Sequence, residues 1–456
     1  MQALTIKEIA EAIGCGGSPA QGTITQISTD SRQIPKDCLF VALEGERFDG
    51  HDYIACALEK GAAYAVAHKK GNYDSQRVLY VKNTQEALLD IGGLYRSKFQ
   101  IRCVGITGSV GKTTTKDMIA QVVSAEYHTL KTQGNLNNEI GLPKTLFELD
   151  NSYEAAVIEM GMSGFGEIRR LAQVAQPQIG VITNIGVSHI EMLGSRENIL
   201  KAKLELAEVL PDGAPLILCG DNDLLSKVKD ARLDVCFYGI ENPACDIRAE
   251  NMIERDGKTT FELCLQGTRI PVTLPCVGRH NVLNALAACA VGRILKISLQ
   301  KCVQALQRYT PSGMRQKIVN YKSYTVVEDC YNASPDSMKA ALATLGKYPC
   351  DGKRIAVLGD MLELGKLGPQ AHCEIGKLVA KNGIDSLLAY GEQAGYYIQG
   401  ARSAGLYDCI HYEEKEKIAD HLREILQPGD VVWIKGSRGM KMEDIIHGLY
   451  EEKQDK

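Results

Sequence analysis

"GITGSVGKTTT", residues 105–115, decides how this chain is to be read. Just before its turn, Cys103-Val104-Gly105-Ile106 reads as a strand, and from Lys116 onward Ile119, Val122 and Val123 recur on one helical face. A glycine-rich turn between strand and helix aims backbone N–H groups and a helix N-terminus at a phosphate. Lys112 adds a cation and Thr113 a hydroxyl able to ligate magnesium. The commonest phosphate-loop spacing, G-x-x-x-x-G-K-[ST], is nevertheless missed: Ile106 stands where its first glycine belongs, and the glycines fall at 105, 108 and 111. The bland alternative is a tight turn carrying an exposed lysine. Spaced glycines, a Gly-Lys pair and a run of threonines in a strand-to-helix context weigh against it.

Outward from the loop the same alternation continues. IRCVGIT precedes KDMIAQVVSAEY, AAVIEMG precedes GEIRRLAQVA, and IGVITNIG precedes ENILKAKLELAEVL, a pattern that predicts parallel βαβ units. Between about 243 and 275 the period shortens to two, which predicts a small antiparallel insertion, and NVLNALAACAVGRIL is expected to close that domain. Upstream, CLFVAL, AAYAVA and VLYV are short β-like runs around a helical stretch near HDYIACALEKGA, and NTQEALLDIGGLYRSKF reads as a helical linker. TPSGM, 310–314, reads as a second linker; beyond it YTVVED, RIAVLGDM, SLLAYG and DVVWIKG alternate with helices as another open, Rossmann-like sheet. The expected fold class is α/β, with three domains over 1–82, 83–310 and 311–456, in keeping with a length of 456 residues.

Composition narrows the function classes. Apolar content of 45% and charged content of 24% suit a globular protein, and no apolar run approaches the ~18–20 residues that span a bilayer. MQALTIKEIAEAIG lacks the basic start and apolar stretch of a secretory signal, so a cytoplasmic location without membrane insertion is expected. A formal charge of -4 argues against a nucleic-acid partner. The 15 cysteines are scattered, odd in number and never spaced C-x-x-C, as expected of reduced core residues.

Ligands of open parallel sheets bind beyond the carboxyl ends of the strands. Glu159 ends AAVIEMG there, and Asn184 and His189 follow IGVIT, so these three polar residues emerge beside the phosphate loop. In ENILKAKLELAEVL, Ile199, Leu200, Leu206, Ala207 and Leu210 form an apolar stripe with Lys203 in its middle, whereas Lys201 lies opposite, among Glu197, Glu205 and Glu208. An ammonium on a buried face is costly unless paired or chemically altered; the alternative is a stem that crosses the core and keeps its head wet.

Together these residues resemble the Mur ligase family, whose phosphate loop has the form G-x-x-G-x-x-G-K-[ST]; the misfit at Ile106 is then that family's own spacing. TQGNLNNEIGLPKTL (132–146), EMGMSGFGEI (159–168), EDCYNASPDSM (328–338) and VLGDMLELG (357–365) are similar to the member that adds D-alanyl-D-alanine to UDP-N-acetylmuramoyl-tripeptide, and STDSRQIPKDCLFVALEGERFDGH (28–51) resembles its UDP-binding domain. The resemblance implies an ATP-dependent amide ligase acting on those small molecules, with two magnesium ions and a monomeric chain. It implies that Gly108, Ser109, Gly111, Lys112, Thr113 and Thr114 hold the phosphates, that Asn281 and Asn284 lie toward adenine, and that Arg315 and Asp329 reach the nucleotide from the third domain. Thr113, Glu159 and His189 are the implied magnesium ligands. Lys203 matches a lysine that takes up CO2 as a carbamate and supports the second ion. Asn135 and Asn138 would line the reacting centre, Ser31, Arg32, Asp49, Gly50 and His51 the UDP side, and Tyr331 and Asn332 the dipeptide side; Lys112, Lys203, His189 and Asn138 are the implied catalytic set.

Two positions depart from the pattern: Cys330 and Ser334 stand where serine and asparagine are expected, which puts the acceptor contacts in question. The relative that adds diaminopimelate would carry D-N-P-R in its third domain, and no such tetrapeptide occurs. A folylpolyglutamate synthase-like ligase shares the loop and its chemistry, but the TDSR...DGH segment argues against it. A non-catalytic nucleotide-binding protein is the rival from another class.

Overall fold

Residues 1–15, 21–255, 257–311 and 313–451 are described by a computed structural model. Ser312, inside the expected TPSGM linker, lies outside the described residues. The loop-bearing strand Arg102–Thr107 sits inside a nine-stranded sheet, flanked in register by Ala155–Glu159 and Ile179–Ile182. All three are parallel and buried on both faces, which suits their near-continuous apolar sequences. The parallel part runs on through Pro215–Cys219 and Asp234–Gly239. The predicted meander forms as Ile247–Arg255, Lys258–Leu265 and Thr268–Leu274, but it does not stand apart: Tyr238 and Gly239 pair in parallel with Ile247 and Arg248, so it extends the same sheet.

The helix after the phosphate loop begins at Lys112, one turn earlier than its apolar face alone suggests. No side chain caps it, and Gly111 enters it at φ +82°, so its first amides remain turned to the loop. The helix Arg279–Ile294 packs on this one but does not close the domain. A further helix, Leu299–Gln307, capped by the Ser298 hydroxyl, packs on both. Its Ser-x-x-Lys start and apolar Cys302, Val303, Ala305 and Leu306 are visible in the sequence once a helix is sought there.

The third unit is a six-stranded sheet whose centre holds the four expected strands. Two were not expected: Lys317–Tyr321, antiparallel at one edge, and Cys409–Tyr412, parallel at the other. Two apolar clusters cover its faces. The N-terminal unit is a four-stranded parallel sheet of Ile27–Ser28, Leu39–Val41, Tyr64–Ala67 and Val78–Tyr80. One of its faces shares a continuous apolar core with the central sheet, through Val41, Val66, Leu79 and the helix Thr84–Ser97. All fifteen cysteines are free, nine of them buried. Among the described residues no helix is long and apolar enough to cross a membrane.

The helix Thr84–Ser97 carries one costly group into that shared core. Arg96 is 2% exposed and has no carboxylate for partner among the described residues; its guanidinium donates to the carbonyls of Phe99 (2.7 Å), Ala175 (2.9 Å) and Gln176 (3.4 Å). The last two end the helix Glu167–Ala175, where the backbone dipole is negative. Replacing Arg96 with alanine strands three carbonyls and opens a void. Arg96→Ala should therefore lower stability by about 3 kcal/mol. Urea unfolding followed by circular dichroism checks this; an unchanged midpoint would mean that water replaces the guanidinium without cost.

Candidate active site

Three strand ends of the central sheet and four segments of the third unit contribute to the wall of a cavity of about 680 Å³. The phosphate loop forms its floor and is braced from one side. Thr183 Oγ1 donates to Val110 O (2.6 Å), Asn184 accepts from Ser109 N (3.0 Å) and, by its side chain, from Val110 N (2.8 Å), and Ser109 Oγ accepts from Gly186 N (3.0 Å). Gly108 is required by this brace, because a Cβ there would lie 1.9 Å from Thr183 Oγ1. Lys112 Nζ folds back to donate to Gly108 O (2.8 Å). Desolvation lowers the pKa of its ammonium, the Glu159 carboxylate opposes that, and Arg315 adds to the lowering.

Glu159 ends its strand 1% exposed. Its Oε1 accepts from Asn137 Nδ2 (2.7 Å), while Oε2 has no hydrogen-bond partner among the described residues and faces Lys116 Nζ at 4.0 Å. Lys116 is itself buried and donates to Thr132 O (2.7 Å). A buried carboxylate oxygen without a donor is unfavourable until a cation approaches, so Glu159, with the Thr113 hydroxyl beside it on the cavity wall, suits a hard dication with oxygen ligands. His189 also lines the cavity, at φ +63°. Its Nδ1 lies 3.0 Å from Glu363 Oε2, and this contact holds the Glu363 carboxyl below its usual range.

Lys203 does not line the cavity; it is 1% exposed within the sheet's helical layer. Burial first, and the neighbouring Lys112 cation second, push its pKa well below that of an ordinary amine. The snorkelling alternative therefore does not hold. Lys201 is exposed, as are Glu197 and Glu208, but Glu205 is not on the wet face. It is 3% exposed and accepts from the Gly166 and Arg169 amides, so it caps the helix Glu167–Ala175 from a neighbouring helix. A period of 3.6 shows which side of a helix a residue occupies, not that another helix end waits there.

The remaining expected residues divide. Ser109, Gly111, Lys112, Thr113, Thr114, Asn135, Asn138, Glu159, His189, Asn281, Asn284, Arg315, Asp329, Tyr331 and Asn332 border the cavity; Gly108 and Lys203 lie behind it. Asn138 Oδ1 is taken by the amides of Ile140 and Gly141, opening the helix Gly141–Leu146, while its unassigned neighbour Asn137 holds Glu159. Asn281 donates to Val277 O and Gln316 Oε1, and Asn284 accepts from Thr115 Oγ1, so both amides are engaged within the protein.

From the third unit, Arg315 stacks 3.4 Å over the Tyr331 ring and donates to Thr113 Oγ1 (3.0 Å). Asp329 pairs with Lys435 at 2.9 Å and accepts from the Trp433 indole. Asp336 accepts from Val187 N (3.3 Å). Gln316, Asp336, Glu363 and Lys435 are wall residues that motif reading leaves without roles. Asp336, Glu363 and Lys435 stand within quoted stretches, which is the available signal.

The two departures have local explanations. Cys330 is fully buried with its thiol on Ile434 O, away from the cavity, and Ser334 caps the helix Pro335–Lys347 by accepting from Ser337 N. Cys330 therefore raises no question about acceptor contacts. Ser31, Arg32, Asp49, Gly50 and His51 belong to the N-terminal unit and do not line the cavity. Ser31 O accepts from Lys60, Arg32 forks onto Asp30, and Asp49 joins Lys69 and His51, each at 2.6 Å. Gly50 N donates to Leu43 O at 2.8 Å.

Family models match three successive stretches: Mur ligase family, catalytic domain, over 23–93; Mur ligase middle domain over 106–292; and Mur ligase, glutamate ligase domain, over 314–438. The chain is 38% identical to the UDP-N-acetylmuramoyl-tripeptide--D-alanyl-D-alanine ligase of Bacillus subtilis (strain 168), over 98% of each chain, and 33% identical to that of Escherichia coli (strain K12), over 99% of each. Its structure is similar to that of MurF from Acinetobacter baumannii, with a TM-score of 0.92, 29% identity and coverage of 99% of this chain and 100% of that one. It is also similar to the MurF ligase of Thermotoga maritima in complex with ADP, with a TM-score of 0.86, 29% identity and coverage of 93% and 96%. With the displaced-glycine phosphate loop at its centre, all three segments matched in order and nearly its whole length aligned, the chain belongs to the Mur ligase family.

Proposed function

We propose that the protein is an ATP-dependent ligase that joins D-alanyl-D-alanine to UDP-N-acetylmuramoyl-tripeptide in the synthesis of peptidoglycan precursors. The observation that carries this reading is the convergence on one cavity of a phosphate loop, a buried carboxylate lacking a donor and a third-domain arginine, in a chain similar over its full length to ligases of that name.

A carboxylate is a poor acyl donor, so the reaction needs a leaving group. The terminal carboxylate of the tripeptide attacks the γ-phosphorus of ATP; the bond to the β-phosphate oxygen breaks, giving an acyl phosphate and ADP. The amine of the dipeptide then attacks the acyl carbon, phosphate leaves, and the nitrogen loses a proton to give the amide. Negative oxygens accumulate in the first step. The loop amides, Lys112 and Arg315 offset that charge, and their fixed positions mean little reorganisation is needed as it develops. Magnesium, when bound, would spread the same charge; Thr113, Glu159 and His189 are the groups to hold one ion, and a carbamate on Lys203 would support a second.

Lys203 suits carbamate formation because a neutral amine is the form that attacks CO2, and burial beside Lys112 favours that form. The product is an anion near a cation, where an ammonium would have been repelled. Contacts from Arg315 and Asp336 to the central loops fit a lid that keeps water from the acyl phosphate. The N-terminal unit, about 1–82, is the reading for UDP, with Ser31, Arg32, Asp49, Gly50 and His51 on its binding side. Residues 83–310 then hold the nucleotide, and 311–456 close over it with Tyr331 and Asn332 toward the dipeptide.

ADP release is expected only when the nucleotide-linked tripeptide and D-alanyl-D-alanine are both present. An assay omitting each in turn checks this, and equal rates without the dipeptide would sink the ligase reading. Lys203→Ala should cost on the order of 100-fold in rate, comparable to losing a charge-stabilising group, whereas exposed Lys201→Ala should cost less than twofold. Carbon NMR with labelled bicarbonate should show a carbamate in the wild type that Lys203→Ala lacks. An active wild type without that signal, or a Lys201 variant as damaged as the Lys203 variant, would overturn the assignment.

A further inference from the structure

We propose that Glu363 is a positioning residue for His189, linking closure of the third domain to the readiness of the metal site; this rests on the reading of His189 as a metal ligand. An ionised carboxylate only accepts hydrogen bonds, so the 3.0 Å contact of Glu363 Oε2 with His189 Nδ1 places the ring proton on Nδ1. That leaves the lone pair on Nε2, the atom a metal ion needs. Histidine ligands commonly donate their other N–H to a carboxylate, which holds ring and tautomer. Here the carboxylate comes from a different domain than the histidine.

The loop that carries Glu363 is held rigidly enough for this task. The Met361 amide donates to the buried His372 Nε2 (3.0 Å), the Leu362 amide to Ser437 Oγ (2.9 Å), and the Gln393 amide to the Asp360 carboxylate (3.0 Å). The loop also rests on the short helix that follows His189: a Cβ added at Gly365 would lie 3.1 Å from Glu191 Cγ. Glu363 and His189 both hold left-handed backbone conformations, at φ +62° and +63°, which tertiary contacts have to maintain. Arg315 on Thr113 and Asp336 on Val187 bring the same domain to the same loops at two further points, so the Glu363 contact belongs to a wider closure.

The test is the affinity of the full chain for Mn²⁺ in the presence of ADP, read by electron paramagnetic resonance, alongside a thermal melt. Glu363→Ala should weaken Mn²⁺ binding by about tenfold with an unchanged melting temperature, and Glu363→Gln, whose amide oxygen accepts the same N–H, should recover most of the loss. Wild-type affinity in Glu363→Ala, with weak binding in His189→Ala, would overturn the proposal and leave His189 as a ligand. Glu363→Gln as weak as Glu363→Ala would also overturn it, since charge rather than orientation would then matter. Unchanged affinity in His189→Ala would remove the ligand reading and the proposal together.

Discussion

Glu159 ends a buried strand with one carboxylate oxygen held by Asn137 and the other without a donor, and the charges around it are arranged about that oxygen. Lys116 stands 4.0 Å away but is engaged by Thr132 O and by the Asp117 carboxylate, 3.5 Å from its Nζ. Lys112 lies close enough for the carboxylate to support its charge, yet its donor goes to Gly108 O. Lys203, deeper in, is pushed toward neutrality by burial and by Lys112. The group is thus assembled but incompletely neutralised. Anionic phosphates with their cations would complete it, because a charge in a poorly hydrated site is costly until an opposite charge is placed beside it.

That assembly is possible because the parallel sheet delivers side chains from neighbouring strands to one edge. Glu159 leaves the strand paired to the loop strand on one side, and the brace of residues 183–188 leaves the strand paired on the other. The loop's missing side-chain cap has the same origin: an amide already bonded to a capping hydroxyl could not serve a phosphate.

The third domain completes the cavity from outside. Its arginine, aspartate and glutamate touch the central domain at Thr113, in the first turn of the helix after the phosphate loop, and at Val187 and His189 of the loop after Ile179–Ile182, and each contact is polar. Polar contacts of this kind can be exchanged for ligand or water at small net cost, which suits a surface that must open for substrates. By contrast, the N-terminal unit shares an apolar core with the centre through the helix Thr84–Ser97, and separating those two would expose that core to water.

Much of this was legible in the residues themselves. Strand and helix periods revealed the βαβ units, since burial on both faces makes such strands continuously apolar, and the stripe of residues 199–210 singled out Lys203 while leaving open whether its head stays wet. The helix Leu299–Gln307 and two edge strands of the third sheet escaped, the strands because short edge segments carry little periodic signal. The local order of residues determined the phosphate loop, the strand-end position of Glu159 and the buried face holding Lys203, because each depends on neighbours a few positions away. Only the tertiary structure decided that Asn137 holds Glu159, that Glu205 caps another helix, and that Glu363 meets His189, because those pairings join segments that sequence spacing does not relate.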